Sequence, residues 1–161
     1  MSNDFIKKLI KKKSQKSVLR VYKHLYELND TSLIILKGHL LVEEEINELL
    51  DVLLNKPIAL KNGDFNFFQK FCILQAVIDP QYLSQKDWQA IKQLNNLRNK
   101  LAHNLEPKGI KDIVRNFLDK CDPEIKREKV WQDGPDEKRL IISISMLCGK
   151  LIDTHVDIVS P

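Results

Sequence analysis

Residues 88–104 read WQAIKQLNNLRNKLAHN, and the spacing of their apolar positions decides the fold. At about 100° per residue, the α-helical repeat, Ile91, Leu94, Leu97, Leu101 and Ala102 fall in one sector with Trp88 at its edge. Working upstream, Ser84 with Asp87 forms a capping box for this helix, and Asp79-Pro80 ends the one before it. That earlier helix covers about 65–78, with Asp64 as its expected cap after Asn62-Gly63. Asn29-Asp30-Thr31 opens a longer helix that runs to about Leu54, ahead of Lys56-Pro57. Downstream, Glu106-Pro107-Lys108-Gly109 breaks the chain before a helix of about 110–121. A polar loop with Pro123, Gly134 and Pro135 then precedes a last helix from about Asp136 to Val156. No stretch alternates with period 2, and no repeat is visible. The chain is predicted to be all-α, a single-domain bundle of about five to six helices over residues 31–161.

Arg98 falls near the middle of the apolar sector of residues 88–103. A guanidinium keeps its charge, so in such a place it needs an acid, an anionic ligand or a wet pocket. Five residues on, His103 supplies a group that exchanges protons near neutral pH. An arginine that holds an anion beside a titratable histidine is a basis for phosphate chemistry.

The run Arg98-Asn99-Lys100-Leu101-Ala102-His103 resembles the R-[polar]-x-x-x-H signature of the HEPN superfamily, small all-helical domains of RNases, toxins and defence proteins. The resemblance extends over roughly residues 31–106 and is similar to the branch of mannitol operon repressor-type proteins. It takes in the helix starting Thr-Ser-Leu-Ile-Ile-Leu and the one around Phe67-Phe68-Gln69-Lys70. It implies a metal-independent endoribonuclease acting on single-stranded RNA, as a toxin or defence effector. Two protomers would then bring both copies of the motif into one cleft. Arg98, Asn99 and His103 are its expected catalytic residues. In an ideal helix Arg98 and His103 lie about 140° apart and roughly 7.5 Å along the axis, so one chain need not form a compact site. Some HEPN toxins carry a Tyr two residues past the His, where this chain has Leu105. In the repressor-type branch the implied role is regulatory binding without catalysis. An antitoxin or regulatory protein partner is the expectation attached to either role.

The helix at 31–54 holds the supporting candidates. His39, Glu43 and Asn47 fall within the sector of Leu36, Leu40, Ile46, Leu50 and Leu54, whereas Glu44, Glu45, Glu48 and Asp51 form a sector read as solvent-facing. Polar groups on a core face need partners. Glu43 is the best-placed acid for Arg98, either as a buried pair pinning two helices or as part of a polar pocket. Asn47 and Asn95 complete the supporting set.

The chain has 161 residues, 43% of them hydrophobic, enough for one domain with a sound core. Residues 1–30 carry eight Lys/Arg against three Asp/Glu, and residues 31–161 eighteen against nineteen. The positive excess therefore belongs to a basic N-terminal helical segment, 1–30, with Lys8, Lys11, Lys12, Lys13 and Lys16 as candidate RNA contacts. A solvated helix or a membrane-surface helix would also carry such lysines. No apolar run has the length of a membrane span, and no signal-peptide pattern opens the chain, so a cytoplasmic protein is expected. Cys72, Cys121 and Cys148 share no metal or redox spacing and read as buried thiols. His24, His39 and His155 form no metal-binding array, and no Gly-rich phosphate loop or nucleophile elbow is present. No cofactor and no metal are expected.

Overall fold

The computed structural model describes residues 15–103, 109–120, 129–132 and 134–160, with side chains from Val18 onward in the first stretch and from Trp131 onward in the third. All of its regular structure is helical: α1 (Gln15–Leu25), α2 (Thr31–Leu53), α3 (Pro57–Lys61), α4 (Phe67–Val77), α5 (Gln85–His103), α6 (Ile110–Asp119), α7 (Lys129–Gln132) and α8 (Asp136–Val159). The all-α class is as predicted. The count exceeds five to six because of two short pieces, α3 in a stretch to which no helix is assigned from the sequence and α7 within the polar loop.

Two helix starts, those of α2 and α5, follow the caps written in the sequence. The Asp30 carboxylate accepts from the Leu33 amide at 2.7 Å, and Ser84 and Asp87 bond reciprocally, the Ser84 amide donating to Asp87 at 2.7 Å. The start of α4 differs from expectation. Asn66, not Asp64, is the cap: its side chain accepts from the Gln69 amide at 3.1 Å while Gln69 accepts from the Asn66 amide at 2.9 Å. Asn66 prevails because Gln69 stands three residues on and completes a capping box. Gly109 opens α6 with φ 75°, a left-handed conformation that a Cβ disfavours.

The core runs along α2 and α8, the two longest helices, with α1 laid over both. Ile34, Ile46, Leu49, Ile91, Leu94, Phe117, Leu140 and Leu151 are fully covered there. Val21 and Leu25 of α1 belong to the same apolar cluster, so packing does not break at residue 30. On the other side of α2 lie α4 and α5, and α6 packs on α5. Arg139 of α8 holds the end of α7 by donating to the carbonyls of Trp131 (2.7 Å) and Gln132 (2.6 Å). Cys148 is buried, whereas Cys72 is exposed because it lies on the outer face of α4; Cys121 is outside the described residues. No described helix is long and apolar enough to cross a membrane.

Two glycines let α8 approach its neighbours. A Cβ on Gly149 would stand 2.1 Å from Val18 Cγ2 and 3.7 Å from the Val18 Cα, and one on Gly38 would stand 2.6 Å from Ile144 Cδ1. Gly149→Ala gains about 1 kcal/mol of helix propensity but forces a stiff β-branched neighbour to move, at about 1–3 kcal/mol. Net destabilisation is therefore expected, and Val18→Ala should relieve it. In a double-mutant cycle by thermal unfolding, the pair should be more stable than the sum of the two single changes implies. Additive behaviour would show that α1 does not rest on Gly149.

Candidate functional site at the end of α5

The apolar sector of α5 is real over its first three turns and opens near its end. Trp88, Ile91, Leu94 and Asn95 are buried, and Leu97 and half-buried Leu101 stay covered on the side where α6 packs. Arg98 and Ala102 are exposed. The periodicity placed Arg98 on the correct face, but that face is no longer covered one turn beyond Asn95. Its guanidinium donates from Nη1 to Asn99 Oδ1 at 3.1 Å, and among the described residues no carboxylate pairs with it. The expected Glu43–Arg98 pair is not formed.

Glu43 is taken instead by α4, which packs on α2: Lys70 Nζ donates to Glu43 Oε1 at 3.1 Å. The other carboxylate oxygen lies 4.0 Å from His39 Nδ1. His39 is 3% exposed, lies against the Phe67 ring, and meets Asn95 Oδ1 through Nε2 at 3.1 Å. An amide oxygen accepts, so Nε2 carries the proton there. Burial pushes the His39 pKa down and the nearby Arg98 charge adds to this; the Asn95 bond and Glu43 oppose it. His39 is thus a neutral ring joining α2 to α5, and Asn95 is its partner rather than a group open to a ligand. Asn47 is also away from Arg98 and His103: it lines a separate open groove with Glu48, Asp51, Phe65 and Lys70.

His103 is exposed and lies with Asn99 and Lys100 on the rim of a shallow groove between α5 and α6. Gln93 and Asn96 continue that lining along α5, and Ile113 and Asn116 face them from α6. Sequence reasoning missed this groove, although Gln93, Asn96, Lys100 and His103 share the helical spacing of one face. The structure therefore brings Asn99 and His103 together in the groove and leaves Arg98 beside it, tied to Asn99. Lys8, Lys11, Lys12 and Lys13 lie outside the described residues, as does the Lys16 side chain.

The acidic sector of α2 needs one correction. Glu45 was expected to face solvent, yet it is 5% exposed because α1 covers it, and Arg20 of α1 reaches it at 3.0 Å. Burial raises its pKa from 4.5 to about 7, with Arg20 opposing and Glu44 and Glu48 adding to the rise. Among the described residues, no group of three or more His, Cys, Asp or Glu stands close enough to hold a metal ion.

No family model, curated protein or solved structure matches the chain.

Proposed function

We propose that the chain is a metal-independent endoribonuclease of the HEPN type that cuts single-stranded RNA as a toxin or defence effector, working as a cytoplasmic homodimer. The observation that carries this reading is the open array at the end of α5: Arg98 with Asn99 as its partner and no described carboxylate, and His103 exposed five residues on. RNA supplies its own nucleophile in the 2′-hydroxyl. The protein must move that proton, stabilise charge on the phosphate and protonate the leaving oxygen. An imidazole serves either proton transfer, and a guanidinium grips a phosphate through two parallel N–H groups. Asn99 sits between them and holds the guanidinium in place. Because Arg98 stands beside the His103 groove and not in it, a second protomer supplies the missing half of the site. The exposed Leu33, Leu36 and Leu40, one face of α2, give such a pair an apolar surface.

The same apolar stripe favours a second reading, a regulatory or protein-interaction module without catalysis, as the repressor-type resemblance implies. One experiment separates the two. The purified protein is incubated with single-stranded RNA in excess EDTA, and its mass is followed by sedimentation. Cleavage by a dimer of 18.8 kDa chains is the expected result. Intact RNA would sink the ribonuclease reading, and a strict monomer would sink the two-protomer site.

A further inference from the structure

The groove between α5 and α6 has a composition that phosphate chemistry alone does not require. Gln93, Asn96 and Asn116 line it, and among the described residues none of these three amides has a hydrogen-bond partner. Asparagine is one of the poorer helix formers, yet Asn96 and Asn116 both sit inside helices. Asn95 is accounted for by His39 and Asn99 by Arg98. Among the described residues, Asn96 and Asn116 have no such internal role. Ile113 adds an apolar surface to the groove, and none of the groove's lining residues is acidic.

Each amide presents one acceptor and two donors in a plane, the pattern that pairs with the edge of a nucleobase, adenine N6 and N7 above all. Ile113 gives an aliphatic surface for a base's face to rest on, and the lack of lining acids leaves the approach of a phosphate unopposed. We propose that this groove is a nucleobase subsite that holds one adenine of the RNA strand next to the phosphate presented to His103. The proposal deepens the ribonuclease reading and rests on it for the strand, but the base contact stands or falls separately.

The test follows the side-chain NH2 signals of Gln93, Asn96 and Asn116 by NMR in the full chain. The probes are adenosine monophosphate, uridine monophosphate and ribose 5-phosphate. Adenosine monophosphate should shift all three signals at about millimolar concentration, the range for a single free nucleotide, and ribose 5-phosphate should leave them in place. Asn96→Ala with Asn116→Ala, both at exposed positions, should weaken the adenosine response by about tenfold while the remaining spectrum keeps its dispersion. Equal shifts from ribose 5-phosphate or from uridine monophosphate, or no shift from any nucleotide, would overturn the subsite. Shifts with uncut RNA would retain the subsite and remove the ribonuclease reading; cut RNA with silent amides would do the reverse.

Discussion

On the ribonuclease reading, His103→Ala is expected to slow RNA cleavage by about 10²- to 10⁴-fold in EDTA, the usual cost of losing a general acid or base. The loss should lie in the chemical step, so single-turnover rates fall while RNA binding persists. His103 is exposed and bears none of the packing of α5, which leaves the fold of the variant intact. Arg98→Ala should also depress the rate, by removing the group that steadies charge on the phosphate. The two variants together test the two-protomer geometry. If each site takes Arg98 from one chain and His103 from the other, then mixing the two inactive variants recreates a working site in every mixed dimer. Random exchange would restore about a quarter of wild-type sites. No recovery after exchange would place both residues of a site on the same chain, and wild-type cleavage by His103→Ala would end the proposal.

The outline of the bundle was legible because caps and periods are local. Asp30, and Ser84 with Asp87, each act on the chain within a few residues, and the helices begin where they say. What the sequence hid was depth of cover, which depends on residues far away in the chain. A helical wheel assigns Arg98, Leu36 and Leu40 to apolar sectors, but a sector is buried only where another helix lies over it. Glu45 is the converse. Its neighbours along α2 mark it as polar surface, and only the passage of α1 across that surface, allowed by Gly149 against Val18, covers it. Pairing is non-local in the same sense. The helical wheel offered Glu43 to Arg98, and the position of α4 gave it to Lys70. The α5–α6 groove needed the turn at Gly109 to bring Asn116 opposite Asn96, and no periodicity within either helix carries that information.

Glu45 carries the larger consequence for stability. Its carboxyl has a folded pKa near 7 against 4.5 for the free side chain, so between those values the folded state binds the extra proton. Stability falls wherever the native state binds more protons than the unfolded one as pH rises. The penalty is absent below about pH 4.5, grows through the interval, and is complete above about pH 7. Two and a half pKa units correspond to a ceiling on the order of 3 kcal/mol. Burial is the main cause. Arg20 offsets it only in part because its side chain is 62% exposed to water, while Glu44 and Glu48 push the same way as burial. From α8 the facing Cys148 offers no compensation, since burial holds its thiol protonated well above the ordinary thiol range. Glu45→Gln keeps an acceptor for Arg20 and removes the charge. The variant and the wild type should therefore unfold at similar temperatures near pH 4.5 and diverge toward pH 8, the variant higher. At roughly 2–4 °C per kcal/mol for a chain of this size, the gap should reach several degrees. Arg20→Ala should act oppositely, lowering the unfolding temperature at neutral pH and extending the decline, which still begins near pH 4.5, to higher pH. Parallel melting curves for Glu45→Gln and wild type from pH 4.5 to 8 would mean that water reaches this carboxylate and that α1 does not seal the face of α2.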